Sequence, residues 1–412
     1  MTELEKSENL FNRWGGRKAA FFGYTHLAHD MCIGLLPAML PLIRTTLGLN
    51  YFQSSLLLSS FSITFGFSQF PGGWLGDRID PYRAAGIGLG GIGLTTVMVG
   101  LPSTYHLLLV LMVVMGLFAG PYHPSATSII SDLFEREFRG KAIALHLVGG
   151  SIGFTLGPVF GGILTELFGW RSAFIFLGLP SLVASFMVFQ KGFQTGTVDL
   201  GVSNGTSTSG RDMTVPSKMK KDVFRILRPI IIIASLAILV QLVAGCATAF
   251  IAIYLVDKHK VVPAFSSIFL GVLRAGGIAG SFLGGWLSDY WNRRNAILLP
   301  LISIGPVLYL ITILPFNPFF IVIFFVFGLL VYMMQATVQP LIMDTCPQEF
   351  RSTVFGIYFG LSMEGMSLLQ PVAGHFMDKV GIIDVFHIIA LISCIFSVMA
   401  LWLISNARYD RS

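Results

Sequence analysis

The sequence predicts an all-α integral membrane protein, with twelve transmembrane helices in two pseudo-symmetric six-helix bundles. Three observations carry that prediction. Of the 412 residues, 54% are hydrophobic and only 12% charged, against about 25% charged in soluble domains. The apolar residues are gathered in long runs of the roughly 20 residues that a helix needs to cross a bilayer, without the period-two alternation of a transmembrane barrel. Finally, the chain repeats itself. At a constant shift, Gly72-Gly73-Trp74-Leu75-Gly76-Asp77 returns as Gly284-Gly285-Trp286-Leu287-Ser288-Asp289, Gly116-Leu117 as Gly328-Leu329, Asp132 as Asp344, and Glu137-Phe138-Arg139 as Glu349-Phe350-Arg351.

In chain order the spans fall at about 19–46, 53–76, 84–102, 106–131, 141–165, 171–190, 229–256, 264–288, 296–314, 317–344, 353–377 and 382–405. The first run follows Arg17 and Lys18 but continues well past the 7–15 residues of a signal-peptide core, so it reads as a membrane span. With the N-terminus inside, all but six of the 27 Lys and Arg residues fall on the cytoplasmic side. Arg44, Arg171, Lys258, Lys260 and Lys379 lie outside, and Arg274 alone lies within a span. The positive-inside rule then places both termini in the cytoplasm. Residues 191–228 read as a cytoplasmic linker: Thr, Gly, Ser and Asn first, then a basic stretch in which Met219, Val223 and Leu227 suggest a short interfacial helix. The units are thus 1–190, 191–228 and 229–412, and parallel six-helix repeats usually meet around a midplane site.

Composition excludes several classes. The net charge of +6 is explained by loop placement, and no basic stretch carries the interleaved aromatics of a nucleic-acid binder. Four scattered cysteines form neither a C-x-x-C nor a Cys/His cluster, so no disulfide, metal or other cofactor is expected. No nucleotide-binding loop or nucleophile–base constellation is present, which argues against ATP hydrolysis and against an enzyme.

Gly73-x-x-x-Asp77-Arg78 with Arg83 after the second span, echoed by Gly285-x-x-x-Asp289 with Arg293 and Arg294 after the eighth, resembles the signature loop of the major facilitator superfamily. In that family the loop latches the two halves when the outside is open. Asp80 stands where the family usually has glycine. In the fifth span Gly153-x-x-x-Gly157-Pro158-x-x-Gly161-Gly162 is similar to the stretch that accompanies antiporters in that superfamily, with Ala144 at an earlier glycine position. His26-x-x-His29-Asp30 and Gly120-Pro121-Tyr122-His123-Pro124 resemble the fosmidomycin-resistance group of bacterial efflux proteins. The resemblance implies that spans 1, 4, 7 and 10 line a central cavity.

Ionisable side chains within a bilayer are costly and need a reason. Asp30, Arg274 and Glu364 lie in mid-span, and none has a charged counterpart in the other half. His26, His29 and Asp30 share one helical face, and a carboxylate beside imidazoles suits proton exchange. They are the expected proton-coupling residues. His123, Gln241, Arg274, Gln335, Gln339 and Glu364 are the expected cargo contacts, with a buried Arg274–Glu364 ion pair as the competing reading. His146, His375 and His387 read as structural. The expected function is proton-coupled antiport, an efflux of a small organic molecule by a monomer in a bacterial or archaeal cytoplasmic membrane. Proton-driven import of an organic anion is the alternative, with a passive channel or a membrane-embedded enzyme behind it.

Overall fold

The computed structural model describes residues 16–101, 104–194, 217–291, 293–345 and 351–406. The linker from 195 to 216 and both chain ends therefore lie outside the described residues, as do the side chains of Asp77, Arg293, Arg294, Gln339 and Glu364. The chain folds as helices α1 (Gly16–Leu47), α2 (Tyr51–Ile79), α3 (Pro81–Val99), α4 (Tyr105–Ala119), α5 (Tyr122–Leu133), α6 (Arg136–Phe168) and α7 (Trp170–Gln194). The second half contributes α8 (Ser217–His259), α9 (Pro263–Tyr290), α10 (Arg293–Ile313), α11 (Phe320–Thr345), α12 (Arg351–Val380) and α13 (Ile382–Asn406). Each predicted span falls on one of these helices, and α4 and α5 together make the fourth span because Gly120-Pro121 interrupts it. Among the described residues, nine of the spans are long and apolar enough on their own to cross a membrane.

One element differs from expectation. The basic stretch after the linker does not form a separate interfacial helix: α8 runs unbroken from Ser217 through Pro229 to His259. Helix propagation is cooperative, and Lys, Met, Arg, Ile and Leu all sustain it. A single proline removes one hydrogen bond without being obliged to end a helix already formed.

Turns join the spans tightly. Gly48, Gly169 and Gly381 take positive φ (63°, 84° and 89°) at one end of the bundle, the distal end, opposite Gly16 and Asn406. Asn50 opens α2 with a capping box, accepting from Gln53 N–H while the Gln53 side chain accepts from Asn50 N–H. At the proximal end Asp80 takes φ 137°, a conformation natural to glycine, while its carboxylate caps α3 through Tyr82 N–H.

Close helix crossings rest on small residues. A Cβ at Gly149, Gly153 or Gly157 on α6 would strike the carbonyls of Gly23, Leu27 and Met31 on α1. The internal repeat is visible as a repeated crossing: Gly116 of α4 abuts the Phe61 carbonyl of α2, and Gly328 of α11 abuts the Leu273 carbonyl of α9.

The halves join near the distal end. Arg44 donates to Asp257 (Nη1–Oδ2, 2.8 Å), which also accepts from the Tyr51 hydroxyl at 2.5 Å. Asp378 accepts from the free N–H groups of Tyr51 and Phe52 at 2.8 and 3.0 Å, capping α2 from the other half. Deeper in, Ser59 donates to the Ser367 carbonyl at 2.7 Å, and Gly162 lies against Ser267. These contacts close the distal end.

Candidate functional site

The interruption at Gly120-Pro121 shapes the first part of the site. Prolines 121 and 124 lack N–H groups, and the helix breaks between Ala119 and Tyr122, which puts the Ala119 carbonyl at the break. His29 Nε2 meets the Ala119 carbonyl at 3.0 Å, while its Nδ1 lies 2.8 Å from Asp30 Oδ1. His26 is held in the same way: Nδ1 meets the His146 carbonyl at 2.8 Å, and Nε2 lies 3.2 Å from Asp30 Oδ2. Asp30 is thus gripped at both oxygens, on one helix, by rings whose outer nitrogens are tied to main-chain carbonyls of α4 and α6. All three residues are buried, His29 completely.

Further groups enclose the cluster. His146 stacks on His26 with ring centroids 4.1 Å apart and meets the Phe22 carbonyl. Tyr122 stacks on His29 at 4.6 Å and exchanges a 2.8 Å hydrogen bond with Thr25. His123 is the more open member: its side chain is 27% exposed, its Nε2 stands 3.9 Å from Asp30 Oδ1, and it packs on Phe65 of α2. Gly150 makes room for the whole, since a Cβ there would lie 2.5 Å from His26 Nε2 and 2.7 Å from Asp30 Oδ2. The nitrogens of His26 and His123 and a carboxylate oxygen of Asp30 lie within 4.8 Å of one another, so these three could hold a metal ion. In this structure, however, His26 and His29 occupy both carboxylate oxygens.

The second part comes from the other half. Arg274 of α9 donates from Nη1 to the Tyr332 hydroxyl on α11, and its guanidinium lies 5.0 Å from the ring centroid of Phe154 on α6. Phe154 and Gly150 are one turn apart on α6. The same helix therefore bears the Asp30 cluster at one turn and the Arg274 guanidinium at the next. Gln241 is buried on α8 and Gln335 half-buried on α11. Ser267 and Ser281, seven residues to either side of Arg274, bond the Ala264 and Gly277 carbonyls of their own helix.

The signature residues have structural surroundings. Gly72 and Gly73 pack on Pro121 and Pro124, and Gly76 on Ser125, seating α2 against the broken span. Arg78 lies 4.7 Å from the Trp74 ring, and both Arg83 and Asp289 are exposed. Gly161 meets Leu35 and Met39 of α1, and Pro158 packs on Gly34. The sequence reading grouped His26, His29 and Asp30 but set His146 aside as structural; its nearness to Gly149-Gly150, the tightest crossing with α1, was the available signal. The Tyr51–Asp257–Arg44 and Asp378 contacts were not foreseen, because they join residues more than 200 positions apart.

Two repeated bundles that meet over a buried carboxylate–imidazole cluster and an intramembrane arginine define a polytopic protein of the carrier type. A family model described as Major Facilitator Superfamily matches residues 22–367, and the chain belongs to that superfamily. It is 22% identical over 306 residues to a probable hexose phosphate transport protein of Chlamydia muridarum, covering 70% of this chain and 66% of that one. It is 30% identical over 137 residues to a probable L-galactonate transporter of Escherichia coli (33% and 30% covered), and 33% identical over 143 residues to a probable sulfoacetate transporter of Cupriavidus necator (34% and 33%). The matches span less than two thirds of the length of these relatives. Among solved structures, an inward-facing, unoccupied bacterial homolog of the human lysosomal transporter Spinster superposes with TM-score 0.76 at 16% identity, covering 97% of this chain and 99% of that one. A mutant of the nucleoside transporter NupG superposes with TM-score 0.76 at 12% identity, covering 93% and 99%. These likenesses bear out the twelve-span fold.

Proposed function

We propose that this chain is a proton-coupled secondary transporter that moves a small organic anion through the interface between its halves. One observation carries the reading: α6 bears the Asp30–His26–His29 cluster and the Arg274 guanidinium on successive turns, one group from each half. A protonatable cluster and a fixed cation packed against the same helix are the two elements such coupling requires. The cation attracts the cargo, and the cluster makes its attraction depend on protons. The relatives named above are described as transporters of hexose phosphate, galactonate and sulfoacetate, all organic anions, which supports the cargo class.

Charge favours cotransport. Adding protons to the cluster makes it less negative and so strengthens the site for an anion, and by linkage the anion strengthens the site for protons. Efflux by antiport is the second reading, supported by the glycines of α6; yet Gly153, Gly157 and Gly161 are accounted for by their packing on α1, which either direction of transport uses. On our reading of the Lys and Arg distribution the distal end faces outside and both termini and the linker lie in the cytoplasm, so that the closed distal end corresponds to an inward-facing state. The protein then acts as a monomeric carrier, not an enzyme, in the cytoplasmic membrane of a bacterium or archaeon.

The test uses proteoliposomes in a fixed orientation, with glucose 6-phosphate, galactonate and sulfoacetate as probes. Acid outside should drive uphill uptake that a protonophore abolishes. Uphill efflux under the same gradient would establish antiport. Flux that only equalises concentrations would replace the carrier by a channel or uniporter.

A further inference from the structure

Among the described residues, four turns at the distal end reverse the chain on a residue of positive φ, and the internal repeat relates them in pairs: Gly169 to Gly381, and Gly48 to Lys260. Glycine adopts that conformation freely, whereas a residue with a Cβ does so at a cost. A lysine at φ 57° where the related turn has glycine therefore needs a reason outside the turn. Within the turn, Lys260 Nζ meets the Asp257 main-chain carbonyl at 2.8 Å. The Asp257 carboxylate is taken by Arg44 and Tyr51, and Lys260 itself is exposed.

The ammonium stands at the mouth of an apolar groove. Just beyond Lys260 the chain enters α9 at Pro263, and Phe265, Ile268, Phe269 and Val272 share one face of that helix at i, i+3, i+4 and i+7. Phe316, from the connection between α10 and α11, and Ile321 of α11 lie across from them, and with His259 and Lys260 they enclose a cavity of about 700 Å³. Phe265, Phe316 and Ile321 are exposed, so the groove opens on the surface of the bundle. From Pro263 to Val272 the helix rises about 14 Å, close to the roughly 15 Å of hydrocarbon in one leaflet. The groove is also separate from the interface between the halves. It lies on the far side of α9 from Ser267, Gly271 and Arg274, which meet α6.

The mouth of the groove favours an anion. Lys258 turns inward, donating to the Tyr254 hydroxyl at 2.8 Å and to the Thr312 carbonyl, which leaves the mouth to Lys260. The first turn of α9 has no side-chain cap, and the positive end of the helix dipole points the same way. His259 Nε2, beside Lys260, has no hydrogen-bond partner. A slot as deep as one leaflet with a cation at its interfacial end matches a phospholipid of net negative charge, its chain in the slot and its phosphate above. A water-soluble anion would leave the slot unfilled, and a zwitterionic headgroup would bring a second cation toward Lys260.

We infer that this groove holds an acyl chain of an anionic phospholipid, with the headgroup phosphate on Lys260. The site is independent of the cargo and of the direction of transport. The test uses the full chain purified in detergent with equal amounts of dioleoyl phosphatidylglycerol and dioleoyl phosphatidylcholine, read by native mass spectrometry. Phosphatidylglycerol should be retained about fivefold over phosphatidylcholine, the worth of one lysine near an anionic headgroup. Lys260→Gly should bring the two lipids to parity. That variant installs the residue of the related turn and so keeps the fold, and Lys260→Arg should keep the preference. Ile268→Trp, which fills the groove, should lower retention of both lipids. In the unaltered protein, phosphatidylglycerol carrying a diazirine on its acyl chain should label residues 265–272.

Equal retention of the two lipids by the unaltered protein would overturn the inference, as would a preference that survives Lys260→Gly. Photolabelling confined to other segments would overturn it independently of any variant. So would dimers that shed the lipid, since a second copy of the chain would then cover the groove.

Discussion

The two halves descend from one repeat, yet they differ where the chemistry is densest. On α1 the face toward α6 carries His26, His29 and Asp30; the repeat-related positions on α8 are Ile238, Gln241 and Leu242. His123, beside the cluster on α5, corresponds to Gln335 on α11. In the opposite sense Arg274 of the second half corresponds to Ser62 of the first. What the halves share is packing, such as the Gly116–Phe61 crossing and its Gly328–Leu273 counterpart. What they do not share is charge: among the described side chains at these positions the first half holds imidazoles and a carboxylate, and the second holds amides and a permanent cation. The difference teaches a division of labour, with protons handled at one turn of α6 and cargo charge at the next.

That division can be broken first at Arg274. Arg274→Gln should weaken anion binding by about 10- to 100-fold, the worth of a hydrogen bond to a charged group, without altering the pH dependence of the transport that remains. Binding calorimetry and pH-resolved uptake would check it; a shifted pH profile would mean that Arg274 belongs to the proton machinery. Tyr332→Phe removes the hydroxyl to which Arg274 donates and should have the same character with a smaller effect, up to about tenfold for a contribution near 1 kcal/mol.

The contacts closing the distal end are more modest. Arg44 and Asp257 are 21% and 23% exposed, so Arg44→Gln should shift the inward–outward equilibrium by about 1 kcal/mol or less. Spin-label distances between the distal ends of α2 and α12 would show the outward population rising; an unchanged distribution would leave closure to Asp378 and the Gly162–Ser267 crossing. Smallest of all, Asp80→Gly relieves an unfavourable φ of 137° and should raise stability by up to about 1 kcal/mol, less the few tenths lost with the cap. A lower melting temperature would show that the Asp80 cap outweighs its strain.

The helices were legible because a membrane span is written in composition, and the repeat was legible because it preserves glycines that neither half can replace at a crossing. The shared face of His26, His29 and Asp30 was legible from helical periodicity. Their carbonyl partners were not, since hydrogen bonds to the Ala119 and His146 main chain leave no trace in residue type. Arg274 was recognised as the sole intramembrane cation, but its contacts with Phe154 and Tyr332 depend on which faces of three helices converge. The hydroxyls of Ser267 and Ser281 say little from sequence, because a serine in a helix can satisfy itself on a carbonyl three or four residues back.

The separation of proton and cargo duties is tested most directly by Asp30→Asn, measured in two modes in the same proteoliposomes. With cargo on both sides and no gradient, isotope exchange requires only that the loaded carrier reorient; with a pH gradient, uphill uptake requires protons to be taken and released. Asp30→Asn should abolish uphill uptake, bringing accumulation down to the level set by the cargo gradient alone, while exchange persists. Uphill uptake that survives Asp30→Asn undiminished would contradict the assignment of the proton to this half of the molecule.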